Sequence, residues 1–187
     1  MIKKEALLGR REIEAKLASI GDYVKMDYLQ QCLKKQIDFD TRRFTLVTLT
    51  GIYESRKMHY EAGKMIRAAA DINTSFEGKM NDFLKSAVLF VKSGNYAEAD
   101  ISAAKASGSA TNVQKVGIKI KLKEAYVEQA QELLKKDKRK HAMETYEKIL
   151  QFDLNPIEKR EVQKLLLGLY EKLGKVKEFY NLQKTAR

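Results

Sequence analysis

Apolar residues recur at helical spacing along almost the whole chain. Leu133, Leu134, Ala142, Tyr146, Ile149 and Leu150 follow i, i+3, i+4 rules on either side of Asp137. Leu165, Leu166, Leu169, Tyr170 and Leu173 do the same farther on. The pattern predicts ten helices, at 3–19, 22–36, 40–55, 58–71, 75–92, 95–106, 113–136, 138–151, 156–172 and 175–186. Gly21, Gly94 and Gly174 stand where helices should close. Asp22, Asn95 and Asn155 can cap the helices that follow. Asn155-Pro156-Ile157-Glu158 is a full start signal, and Thr74-Ser75-Phe76-Glu77 matches a capping box. Such short connections inside each helix pair force the two helices antiparallel.

The connections also repeat. Similar turns appear at Gly21-Asp22-Tyr23, Met58-His59-Tyr60, Gly94-Asn95-Tyr96, Asp137-Lys138-Arg139 and Gly174-Lys175-Val176. The steps between them are 37, 36, 43 and 37 residues. A period in the range of roughly 20–50 residues marks a stacked repeat architecture. The expectation is an all-α superhelix, a solenoid of about five antiparallel helix pairs in a single domain spanning 1–187. One segment breaks the rhythm. Val116 to Lys123 alternates apolar residues with Gly117 and lysines, a strand period. A helix lengthened by about two turns explains the 43-residue step, because a lone strand has no partner here. The strand remains the alternative. Ser107 to Asn112 is the loosest loop and the candidate hinge.

Composition agrees with helices. One Pro and ten Gly in 187 residues leave few breaks, and 44% hydrophobic residues supply a core. Cys32 is the single cysteine and reads as a buried small residue, so a disulfide scaffold is excluded. No apolar run approaches the roughly 18–20 residues of a membrane span. The basic start Met1 to Leu8 is cut short by Gly9-Arg10-Arg11 and reads as a helix start, which points to the cytoplasm. The net charge of +11 is uneven: residues 113–187 carry 18 bases against 11 acids, while 58–112 balance six against six. That tilt favours an acidic or polyanionic partner.

Phe83, Ala87, Phe90, Gly94, Tyr96, Ala99, Ala103 and Ala106 resemble the tetratricopeptide repeat in order and spacing. Tyr126, Ala130, Leu133, Ala142, Tyr146 and Ile149, with Pro156, resemble it again. Leu167, Gly168, Tyr170 and Gly174 form a displaced copy, and Gly51, Tyr60, Gly63 and Ala70 a fainter one. The periods exceed the roughly 34 residues of the standard repeat. Long repeats of this kind are similar to those of the vesicle-fusion attachment proteins. The resemblance implies a concave groove lined by the first helix of each pair. It implies a bound protein or peptide partner there, with Asn81, Lys85, Lys92, Lys123 and Gln131 as groove candidates. Helices that grip a chaperone tail carry Lys, Asn and Arg. Thr45, Thr48, Asn81, Leu84, Lys85, Glu124, Val127 and Glu128 on the comparable faces match that pattern poorly.

Catalytic and metal chemistry find little support. His141 and Glu144 could form half of a metal pair, but such sites need three or four ligands. Gly51, Gly63 and Gly78 are separated positions and not a phosphate loop. Carboxylates such as Glu144 and Glu171 have Lys148 and Lys175 at i+4. No enzyme activity, metal or cofactor is expected. Lys115, Lys119 and Lys123 share a helix face, and Lys135, Lys136, Lys138, Arg139 and Lys140 cluster at the next turn. They form a candidate patch for phosphates or acidic peptides, or else a solvated face. The functional expectation is a non-catalytic scaffold. Its alternative is RNA binding, as in pentatricopeptide repeats, which share the two-helix plan. Leu166, Leu169, Val176 and Phe179 suggest an apolar C-terminal edge through which copies could associate.

Overall fold

The computed structural model describes residues 8–185, and these form ten helices and no strand. They are α1 (Arg10–Ala18), α2 (Asp22–Lys34), α3 (Phe39–Ser55), α4 (His59–Asp71), α5 (Phe76–Lys92), α6 (Tyr96–Gly108), α7 (Asn112–Lys135), α8 (Arg139–Ile149), α9 (Pro156–Lys172) and α10 (Val176–Thr185). The expected first-helix residues 3–7 and last-helix residue 186 lie outside the described residues. Two compact units divide between Asn112 and Val113. In the first, α3 packs on α1, α2 and α4, and α5 packs on α4 and α6. In the second, α9 packs on α8 and α10.

Four connections close in one way. Lys57, Gly94, Asp137 and Gly174 have φ of 59°, 77°, 52° and 66°, the left-handed region. The N–H of the next residue reaches back five positions: Met58 to Tyr53 O at 2.9 Å, Asn95 to Phe90 O at 2.9 Å, Lys138 to Leu133 O at 2.9 Å, and Lys175 to Tyr170 O at 2.8 Å. Each left-handed residue also donates its N–H to the carbonyl three back. These two bonds satisfy carbonyls that a helix end otherwise leaves unpaired. The four residues stand 37, 43 and 37 positions apart. The second turn is therefore one residue earlier than the expected Met58-His59-Tyr60. Lys57 hides it, because lysine rarely adopts this conformation. Gly21 is a correction of the opposite kind. Its φ is −76°, and it caps α2 instead of closing α1 in the left-handed region.

Buried positions keep the same steps. Ile13, Thr50, Ala87 and Ala130 are each fully buried, 37, 37 and 43 residues apart. Cys32, Ala69, Ala106 and Ile149 repeat that series with no more than 1% exposure. The first helix pair thus buries the same positions as the later ones. Small residues allow close approach: a Cβ on Gly63 would meet the Phe90 ring at 3.0 Å. Below that contact the Ser86 hydroxyl donates to the Gly63 carbonyl at 2.9 Å and lies 3.1 Å from the Ser102 hydroxyl.

Ion pairs connect a helix to the second one after it. Arg43 meets Asp82 at 2.9 Å and Glu54 meets Lys85 at 2.6 Å, so α3 and α5 run side by side in one direction. Arg67–Glu98 and Asp71–Lys105 do the same for α4 and α6. Half-exposed pairs contribute roughly 0–1 kcal/mol each, whereas burying one large apolar side chain contributes about 1.5–3. The core therefore holds the stack, and the ion pairs select its register.

Helix starts follow the sequence in part. Asn155 Oδ1 accepts from the N–H groups of Ile157 and Glu158, and Glu158 accepts from the Asn155 N–H at 3.1 Å. The expected box at Thr74 is instead a single cap at Ser75, whose hydroxyl accepts from the Gly78 N–H at 3.1 Å. Asn95 does not cap α6 with its side chain, which donates to the Ser93 carbonyl and hydroxyl. The segment 116–123 is helical throughout, inside α7. Ser107 and Gly108 finish α6, because Ser109 N–H reaches back to Lys105 and Ala106 carbonyls. Lys175 pairs with Glu178 at 3.7 Å in place of the expected Glu171.

Two measurements check this account. A side chain on a left-handed residue costs about 1–2 kcal/mol, so Lys57→Gly should stabilise the chain by about 0.5 kcal/mol, and Gly94→Ala should lower the melting temperature by ~3 °C. Thermal unfolding showing Lys57→Gly to be the more damaging change would contradict the turn. Asp38 accepts the backbone N–H and the hydroxyl of Thr41, and Glu158 accepts the Lys123 ammonium and the Asn155 N–H. Both carboxyls are held below their usual range. Their stabilisation is present above the unfolded pKa and is lost as pH falls through the folded value. Glu158→Gln should therefore flatten the loss of stability as pH falls through and below the ordinary glutamate range. An unchanged urea midpoint profile would show that the cap carries no such linkage.

Candidate functional site

The surface question turns on the first helix of each pair. Counted from the closing residue, α3, α5 and α9 each begin 18 residues earlier. α7 begins 25 residues earlier, so its first seven residues are extra. Those seven residues, less one residue saved in the α6–α7 loop, account for the six-residue excess of the long step.

Each of α3, α5, α7 and α9 also exposes a large apolar residue 17 or 18 positions before its closing residue. Phe39 is 75% exposed, Phe76 76%, Ile120 48% and Ile157 70%. This series was not recognised from sequence. Its signal was present, since Asp38-Phe39, Ser75-Phe76 and Asn155-Pro156-Ile157 each place an apolar residue just after a cap. The extra turns of α7 add Val113 and Val116, at 84% and 59% exposed.

Two hollows lie on the second unit. One, of about 520 Å³, is lined by Leu134, Leu165, Gly168 and Leu169, with Glu161, Lys164 and Lys172 around it. The other, of about 320 Å³, sits between the first half of α7 and the α8–α9 connection. Val116, Ile120 and Phe152 line its apolar side, and Lys119, Lys123 and Asp153 its polar side. Phe152 is held by the Tyr126 ring, with centroids 5.5 Å apart. Lys123 is anchored to Glu158 at 2.7 Å. In the first unit, a more polar hollow of about 940 Å³ between α1 and α3 includes Arg10, Arg11, Asp38, Asp40 and Arg43.

The expected site residues fall into three groups. Asn81, Lys85 and Lys92 are exposed on α5, and Lys85 is paired with Glu54. Lys123 and Gln131 lie on α7, Gln131 one turn before Leu134. In the basic cluster Lys135 and Lys136 approach Glu132 at 3.9 and 3.1 Å, and Arg139 meets Asp137 at 2.7 Å. Lys115, Lys119, Lys138 and Lys140 are exposed. The repeat-defining Phe83, Ala87, Phe90, Ala99, Tyr126, Ala130, Ala142 and Tyr146 are all buried, whereas Tyr96 is half-buried. Burial raises the Tyr146 hydroxyl pKa, and at Tyr170 burial adds to a 2.9 Å bond donated to Glu147. Leu166 and Leu169 are buried in the second unit, where α9 packs on α8 and α10, so they do not form the expected edge. Val176 and Tyr180 are exposed on α10.

Chemistry of other kinds is thinly represented. Cys32 is buried in the first unit's core. Among the described residues no three His, Cys, Asp or Glu side chains gather as metal ligands. No helix among them is long and apolar enough to cross a membrane.

No protein-family model matches the chain, and no curated protein matches it. Among solved structures it is similar to BtubC (BKLC) from P. vanneervenii, at 12% sequence identity and a TM-score of 0.38. That match covers 94% of this chain and 75% of the other. At that score the likeness assigns no family.

Proposed function

We propose that this chain is a non-catalytic, cytoplasmic protein-interaction scaffold built on tetratricopeptide-like, solenoid-forming helix pairs. One observation carries the reading: four helix pairs close through the same left-handed turn at steps of 37, 43 and 37 residues. Repetition of one supersecondary unit presents surface, and chemistry is seldom built that way. Within each unit the partner is an extended or helical protein segment lying against the first helices of that unit's own pairs. Asn81, Lys85 and Lys92 serve on α5, and Lys123 and Gln131 on α7. In the second unit the hollow of Leu134, Leu165 and Leu169 takes an apolar side chain of that segment.

Affinity capture after nuclease treatment tests the scaffold reading. Wild-type protein should retain a stoichiometric protein partner, and Leu165→Asp should reduce the yield at least ~5-fold. Recovery of RNA alone before nuclease, and of nothing afterwards, would contradict it.

A second reading has one specific observation behind it, the exposed bases Lys138 and Lys140 beside Lys135, Lys136 and Arg139. They would bind RNA phosphates. The acids Glu132 and Asp137 already partner three of these five bases, which weakens the patch. Filter binding at 50 and 200 mM salt separates the readings. Six or more phosphate contacts demand an affinity loss of about a thousandfold, whereas a scaffold gives a weak or flat signal.

A further inference from the structure

We propose that the extra two turns of α7, with the hollow beneath them, form a docking site for an acidic amphipathic helix of a protein partner. The inference rests on the scaffold reading and names a partner class for one part of the surface.

The argument begins with what the fold does not require. α3, α5 and α9 start 18 residues before their closing turns and still bury the same positions, whereas α7 adds seven residues. At about 1.5 Å per residue this lengthens the helix by roughly 10 Å. The addition is not a solvated spacer. Val113 and Val116 stand largely exposed on it, and Ile120 continues the i, i+3, i+7 stripe along one face. An apolar stripe on an added helical segment is an interaction surface in search of a cover. It runs directly into the hollow lined by Val116, Ile120 and Phe152. The floor is fixed, since Phe152 packs on Tyr126 and Lys123 is tied to Glu158.

Charge chooses the occupant. Residues 112–123 hold Lys115, Lys119, Lys121 and Lys123 and no acid; Glu158 pairs Lys123 and Asp153 lines the hollow, which leaves the exposed Lys119 and Lys121 in excess beside the stripe. A second copy of this chain, at net +11, would bring like charge to the site. A single-stranded nucleic acid would seek aromatic stacking, and the stripe is aliphatic. A helix with Leu or Ile on one face and Glu or Asp on its flanks matches both the stripe and the lysines.

Fluorescence anisotropy on the full chain provides the test. The probe is a labelled 18-residue peptide with Leu at i, i+3, i+4 and i+7 and Glu elsewhere. Its control carries Lys at every Glu position. The acidic peptide should bind in the micromolar range and the basic control at least ~10-fold more weakly. Val116→Asp and Ile120→Asp should each cost at least ~10-fold. Both positions are exposed, and far-UV circular dichroism checks that these variants fold. Lys115→Glu combined with Lys119→Glu should reverse the preference between the two peptides.

Binding that survives those changes but is lost in Leu165→Asp would overturn this site and leave the scaffold reading standing. Equal binding of both peptides, or no binding up to about 1 mM, would overturn the proposal. So would concentration-dependent self-association that Val116→Asp abolishes, because the occupant would then be a second copy.

Discussion

The helix-closing turn is the constraint on which the remaining structure depends. One residue enters the left-handed region, two N–H groups reach back, and the chain reverses within three residues. Five residues after the left-handed residue stand Ala62, Ala99 and Ala142, each at most 1% exposed. The turn fixes which residue of the second helix first meets the first helix. A small side chain there permits close packing. Four positions before the left-handed residue stand Tyr53, Phe90, Leu133 and Tyr170, the residues whose carbonyls accept the long bond and whose side chains fill the core. One local geometry therefore sets both the bend and the packing on either side of it.

Much of this was legible in the sequence, for reasons that differ by position. Gly94 and Gly174 announce the turn because glycine reaches positive φ at little cost. Lys57 and Asp137 perform the same task without that mark, which moved the second turn by one residue. Gly21 carries the mark without the task. Capping was read well where the signal was redundant, at Asn155 with Pro156 and Glu158, and poorly where one polar side chain had several choices. Asn95 prefers the Ser93 carbonyl behind it to the N–H groups ahead. The alternation in 116–123 reads as a strand in isolation. In the helix it reflects two exposed lysines, Lys119 and Lys121, and a half-buried one, Lys123, beside a stripe that is only half covered.

The candidate surface was less legible because exposure is not a property of residue type. Phe39, Phe76 and Ile157 are large apolar residues at helix starts, and all three lie outside. Leu166 and Leu169 read as an edge and lie inside. Lysines identified as lining residues or as a patch turn out to be partly neutralised: Lys85 by Glu54, Lys123 by Glu158, Lys136 by Glu132. The first half of α7 stays basic in sequence, with Lys119 and Lys121 exposed and no acid among residues 112–123, and Val113 and Val116 are exposed on the same segment.

Residue-resolved amide exchange tests the recurring turn most directly. The N–H groups of Met58, Asn95, Lys138 and Lys175 lie outside any helical ladder except through the long bond to residues 53, 90, 133 and 170. If the four turns are one structure, all four amides exchange slowly, with protection comparable to that of the helices they close. Rapid exchange at Met58 and Lys138, with protection only where glycine precedes, would contradict the account.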